Sequence, residues 1–217
     1  FNTESSTFMN LKSLRTTLAV SLIGALACRV VQAHPYAAGI TSTNGAGDVS
    51  FIMNEGGATV TVTFEDATTA SLGVLAKGSN FFHLGSHTSF AISCYKQGSG
   101  SPSVISTDAD TYSSWNAARG VAVNKNPALG KNFGQLCVGN SATTGKGTGL
   151  YLLNADQSYV TGPVAASFWA SSGAGNAPWR VRANDDGSYL VNDFSTANAS
   201  LLQFSPDLSS SNLVLAI

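Results

Sequence analysis

Charge is what this sequence has least of. Only 11% of its 217 residues are Asp, Glu, Lys or Arg, and 11 Lys+Arg against 12 Asp+Glu leave a net charge of −1. No basic stretch is present to neutralise a phosphate backbone, which excludes nucleic acid as an expected partner. Cysteine is scarce as well, with 3 in the chain, so this is no disulfide-stapled scaffold. Apolar runs stop well short of the ~20 residues that a membrane-spanning helix needs. Ser-His-Asp order, HExxH, a Walker loop and paired-cysteine spacings are all missing, so no motif names a reaction. Beyond Ala33 strong helix signals are missing too. Short β-rich runs punctuated by Gly and Asn predict an all-β protein.

What is present is a repeat. Arg119 to Asp156 carries the phrases RGVAVN, FGQLCVGN and GLYLLNAD, and Trp179 to Asp207 answers with WRVRAN, DGSYLVND and SLLQFSPD. Gly134 aligns with Gly187, and Asp156 with Asp207. The loop Lys125 to Phe133 is longer than its counterpart at Asp185 and Asp186. Insertions confined to loops between matched apolar strands mark a duplicated supersecondary unit. Three β-like runs at a period of about 51–53 residues predict blades of a β-propeller. Residues 104–217 hold about two such blades, whereas closed propellers have at least about four. The expectation is therefore a piece of a propeller: an open pair of blades, the second incomplete or borrowing a strand. One apolar blade face would lack a neighbour and favour association.

The N-terminal part reads differently. From Met9, a basic segment with Lys12 and Arg15 precedes the apolar run TTLAVSLIGALAC, and Val31-Gln32-Ala33 ends in small residues. This predicts a secretory signal peptide over 9–33, with its helix, cleaved before His34. Residues 1–8 read as upstream read-through, and the product as exported: extracellular, cell-surface or periplasmic. From His34 onward 8 Lys/Arg face 11 Asp/Glu, for a net charge of −3. Cys94 and Cys137 lie in apolar strand patterns of separate segments. Export permits a bridge between them, but buried free thiols are the expectation.

Five strands are predicted between Val49 and Tyr95: Val49–Asn54, Ala58–Asp66, Ser71–Leu75, Asn80–Leu84 and Thr88–Tyr95. In the second, Val60, Val62 and Phe64 alternate with threonines, the period of a sheet with one buried face. Together they predict a small Ig-like β-sandwich over 34–97, with KQGSGSPS giving a linker at 98–103.

The run VSFIMNEGGATVTVTFEDATTASLGVLAKGSNFFHL resembles the half-sandwich of flagellar-hook-capping-type Ig-like domains. That resemblance implies that Glu55 begins a turn and Asp66 ends the second strand. Leu84-Gly85-Ser86 stands where those domains usually carry Trp-Asp-Gly. With the repeat phrases added, the chain resembles an exported bacterial family in which an Ig-like segment precedes an NHL- or strictosidine-synthase-like propeller. The family carries no assigned activity to transfer.

Candidate functional residues are few. Trp169 and Trp179 flank the glycine-rich loop Ser171 to Asn176. Trp179 with Arg180 would line the channel side of a blade and suit a sugar or an anion, the alternative being a tryptophan packed between blades. Asn184-Asp185-Asp186-Gly187 could ligate Ca²⁺ through Asp185 and Asp186, although the same residues are what a tight hairpin turn requires. If cleavage frees His34, its amine and imidazole could form a copper brace with His83 or His87. His83 and His87 otherwise read as residues flanking a turn. Asp193 and the histidines leave acid–base chemistry open without a spacing that favours it. The leading expectation is a non-catalytic exported binding or structural module, its ligand a carbohydrate or a cell-surface protein and no cofactor required. The alternative is a propeller enzyme, a metal-assisted hydrolase or lactonase.

Overall fold

Strand patterning carries through to the computed structural model, which describes residues 34–42, 47–98, 115, 117–141, 147–164, 178–194 and 199–216. All of these belong to the unit from His34 to Ile217. The expected signal peptide and read-through, most of the 98–103 linker, Trp169 and the Ser171–Asn176 loop lie outside the described residues. Among the described residues, fourteen strands form four antiparallel sheets, none closed into a barrel. No described helix is long and apolar enough to cross a membrane.

The first sheet has the order β1-β2-β5, with β1 Ala37–Ser42, β2 Asp48–Met53 and β5 Gly78–His83. The second has the order β4-β3-β6, with β3 Ala58–Phe64, β4 Thr69–Leu75 and β6 Phe90–Tyr95. Alternation decides what they bury. Val49, Phe51 and Met53 of β2 join Ala58, Val60 and Val62 of β3 and Phe82 of β5 in one apolar cluster. Fully burying a Val, Phe or Met side chain is worth about 1.5–3 kcal/mol. The five strands expected from the sequence match β2 to β6 within two residues. β1 has no counterpart in that expectation. It is short, built of small residues, and shifts register against β2 between Ala38 and Thr41.

The third sheet is a meander of β7 Ala118–Val123, β8 Leu136–Asn140, β9 Gly149–Leu153 and β10 Tyr159–Val164. The fourth repeats it with β11 Arg180–Ala183, β12 Tyr189–Asp193, β13 Ser200–Phe204 and β14 Ser211–Ala216. Each has four strands of its own, so the second unit is neither incomplete nor in need of a borrowed strand. The two sheets share a core. Cys137, Leu150 and Leu152 come from the third; Tyr189, Val191, Leu202 and Phe204 come from the fourth. On the other face of the third sheet, Val138, Tyr151 and Leu153 pack with Trp115 and Leu136. With apolar partners on both faces, β8 and β9 read as unbroken apolar runs.

One turn closes four hairpins. In Phe64–Thr68, Asn154–Ser158, Asn184–Ser188 and Ser205–Ser210, the first residue's N–H donates to the last residue's carbonyl at 2.8–3.0 Å. An aspartate two residues into the turn accepts from a Ser or Thr N–H and hydroxyl two residues later. These aspartates are Asp66, Asp156, Asp186 and Asp207. The intervening residue is left-handed: Ala67, Gln157, Gly187 and Leu208 have φ of 64°, 70°, 83° and 61°. The longer loop after β7 also reaches a left-handed glycine, Gly134 at φ 80°, so the aligned pair Gly134 and Gly187 share a conformation. That loop contains a kinked 3₁₀ segment, Pro127–Asn132, opened by Asn126 Oδ1 accepting from Ala128 N–H.

The same loop joins the two halves of the described structure. Gly39 N–H donates to Phe133 C=O at 3.1 Å, and the rings of Tyr36 and Phe133 lie 6.1 Å apart. A β-carbon on Gly134 would sit 2.6 Å from Ala38 Cβ. Only glycine fits that contact.

Candidate functional site

The repeat places β7 and β11 at the ends of neighbouring sheets and brings them together. Pairing fixes the correspondence. Gly120 pairs with Gly139 as Arg180 pairs with Asn192, and Ala122 with Cys137 as Arg182 with Leu190. A β-carbon on Gly120 would stand 2.7 Å from Val181 N, and one on Gly139 would stand 3.1 Å from Val181 Cγ2. The sheets approach this closely because both positions are glycine. Beside the contact opens a cavity of 490 Å³ lined by Ala118, Arg119, Gly120 and Val121 on β7 and by Trp179, Arg180 and Val181.

Its polar groups are held in place. The Arg119 guanidinium lies 4.5 Å from the centre of the Trp179 ring, within the range of a cation–π contact. Arg119 Nε donates to Ser141 Oγ at 3.1 Å. Trp179 is fixed by its own N–H donating to Asn192 C=O, and Arg180 N–H donates to Asn192 Oδ1 at 2.8 Å. Phe194, 64% exposed, lies 5.4 Å from Trp179 and extends the aromatic surface. Among the described residues no ion pair involves Arg119 or Arg180.

Trp179 and Arg180 are both among the residues that line this cavity. Sequence reasoning missed Arg119, although the repeat aligns it with Trp179 and so marks it as a neighbour along the same row.

The remaining candidates are dispersed. Asp186 sits in the β11–β12 turn, its carboxylate held below its ordinary range first by the Ser188 hydroxyl and then by the Ser188 N–H. Asp185 contributes its carbonyl to Asn126 Nδ2 at 2.7 Å. His83 Nδ1 meets Asp48 Oδ1 at 2.9 Å. His87 stacks on Phe64 at 3.9 Å and lies 3.8 Å from Glu65 Oε1. His34 is exposed. Among the described residues, no group of three or more His, Cys, Asp or Glu is placed to hold a metal ion. Asp193 is buried at the end of β12, paired with Ser200. Cys94 and Cys137 are free thiols in separate cores. Burial pushes both thiols above their ordinary range, Cys137 the further. Neither is suited to nucleophilic work.

No protein-family model matches the chain, and no curated protein matches it either.

Proposed function

We propose that the chain is an exported, non-catalytic binding module: an Ig-like sandwich carrying two propeller-type blades, with its ligand site at the cavity between β7 and β11. The carrying observation is Arg119, stacked on Trp179 and hydrogen-bonded to Ser141, at an open cavity of 490 Å³ that Arg180 also lines. Cavities of roughly 300–1,000 Å³ with a few fixed polar groups are the usual form of small-ligand sites. Meandering four-stranded sheets that repeat with equivalent turns and face-to-face cores are the arrangement of blades. Support for export comes from the charged, apolar and small-residue order of 9–33.

Two measurements test this reading. Binding of the full chain to an immobilised glycan panel should fall on substitution Trp179→Ala. Turnover of ester, lactone or polysaccharide substrates in the presence of Ca²⁺ or Zn²⁺ would replace the module with an enzyme. For export, the secreted product in a bacterial host should begin at His34; an intact N-terminus retained in the cytosol would sink that part.

A further inference from the structure

The β7–β11 cavity carries a single fixed charge, and the ligand class read from it rests on that cavity being the ligand site. Its lining contains Arg119 and Arg180 and no acidic residue. The two arginines face different ways. On β11 and β12, Val181, Ala183, Tyr189 and Val191 pack against the third sheet. Strand alternation therefore sends the side chains of Arg180 and its partner Asn192 to the opposite face. Arg180 borders the cavity through its backbone, whose Cα a β-carbon on Gly120 would meet at 3.0 Å. Arg119 is held at the cavity instead. Its Nε donates to Ser141 Oγ at 3.1 Å, and its guanidinium lies over Trp179. Among the described residues no ion pair takes its two terminal nitrogens. Much of the remaining wall is strand edge. β7 and β11 end separate sheets, and no backbone hydrogen bond joins them among the described residues. The N–H and C=O groups on such edges have no strand to pair with, and Ala118 and Gly120 add little side chain to cover them.

We propose that this cavity takes one uronic acid unit, its carboxylate on the two terminal nitrogens of Arg119 and its hydroxyls along the free edges of β7 and β11. A guanidinium fixed by stacking and by its Nε presents a planar fork, which suits the two oxygens of a carboxylate. One guanidinium offsets one negative charge, so the ligand group is a monoanion. The body of the ligand meets backbone donors and acceptors side by side. A hydroxyl serves both, because the same oxygen donates and accepts. An extended peptide would also pair with a strand edge, but it needs that edge continuous. Here Gly120 already lies against the backbone of Arg180 and Val181, where even a β-carbon would stand 2.7 Å from Val181 N. A compact ring bearing hydroxyls and one carboxylate fits beside that contact without entering it.

The experiment is calorimetric titration of the full chain with three probes: methyl glucuronide, methyl glucoside and N-acetyl-alanyl-alanine. The first and third carry one carboxylate each, and the second is the first without its charge. Methyl glucuronide should bind, and each of the others should bind at least about tenfold more weakly, the scale of one lost charge-assisted contact. Arg119→Gln should weaken methyl glucuronide by about tenfold and leave methyl glucoside unmoved, with Arg119→Lys in between. Arg180→Gln should change neither, since that side chain leaves on the other face. Equal binding of glucuronide and glucoside, indifferent to Arg119→Gln but lost in Trp179→Ala, would overturn the anion while leaving the cavity as the site. N-acetyl-alanyl-alanine matching the glucuronide would overturn the sugar. A loss in Arg180→Gln as large as in Arg119→Gln would move the carboxylate off Arg119 and overturn the assignment. Absence of binding, or binding indifferent to Arg119→Gln and Trp179→Ala alike, would remove the cavity reading itself.

Discussion

Asn124 and Tyr189 show how a single polar contact is made essential by its surroundings. Both are fully buried, and Asn124 Nδ2 donates to Tyr189 Oη at 2.8 Å across the core of the third and fourth sheets. Burial is the main cause that pushes the Tyr189 hydroxyl well above its ordinary range. Tyr189→Phe strands the Asn124 amide in an apolar core and should cost about 1–3 kcal/mol, read by urea unfolding. Gly120→Ala should cost a similar ~1–3 kcal/mol, because the atoms it meets are backbone and cannot turn aside. A neutral Gly120→Ala would mean that the sheets do not approach as described. Surface carboxylates act through pH instead. The Thr88 N–H is the largest cause holding Glu65 to about 2, and the Ser209 and Ser205 hydroxyls do the same for Asp207. Their ordinary values are 4.5 and 3.8. The folded state thus keeps them ionised where the unfolded chain binds protons. Their contribution is complete above about pH 5 and disappears as pH falls towards about 2. Unfolding free energy should therefore fall across that window and fall less in Asp207→Asn. A flat profile from pH 5 to 2 would contradict the turn contacts.

At the scale of elements, what the sequence displayed was whatever local chemistry determines. The repeat was legible because turns and apolar strands recur together: Asp156 and Asp207 do the same work in the same turn, and Gly134 and Gly187 take the same backbone conformation. β10 is hidden in the sequence because Gly162 and Pro163 interrupt it and its pairing with β9 slips twice. The 3₁₀ segment is an insertion without a counterpart in the second unit. The β7–β11 cavity was only half legible. Trp179 and Arg180 are adjacent in the chain, whereas Arg119 lies one repeat earlier and is marked only by its alignment with Trp179. β14 makes a prediction of its own. It is a terminal strand of its sheet, and Leu213, Val214 and Leu215 are 59%, 51% and 54% exposed. Val214 is the extra residue where Leu215 pairs with Leu201 and Leu213 with Leu202. Apolar edge strands template association, and a lysine there opposes it. Val214→Lys should reduce concentration-dependent light scattering while leaving the melting temperature within a few degrees, since a surface change of this kind is worth about 0.5 kcal/mol or less. Unchanged scattering would move the association surface elsewhere.

For the whole molecule, the question is what the composition of a sheet face does to association. The outward face of the fourth sheet carries Arg180, Arg182, Asn192 and Gln203 beside Leu190 and Leu201, where the matching face of the third carries Gly120, Ala122, Gly139 and Leu152 beside Cys137 and Leu150. Exchanging the fourth sheet's residues for the third's is a direct test. In the quadruple variant Arg180→Gly, Arg182→Ala, Asn192→Gly and Gln203→Leu, the outer face acquires the shape and polarity of a face that already receives a sheet. The substituted side chains point away from the core of Tyr189, Val191, Leu202 and Phe204, so the fold should survive with a cooperative melt. What should change is the state of association. The parent face carries four polar side chains, whereas the variant face is apolar and pairs with a second copy, as large unpartnered apolar patches do. Sedimentation velocity should show the variant moving to dimers and larger species at concentrations where Val214→Lys protein stays small. Combining the four changes with Val214→Lys separates the two surfaces, because association through the substituted face should persist when the β14 edge is charged. A quadruple variant that sediments like its parent would show that face composition does not limit the stack.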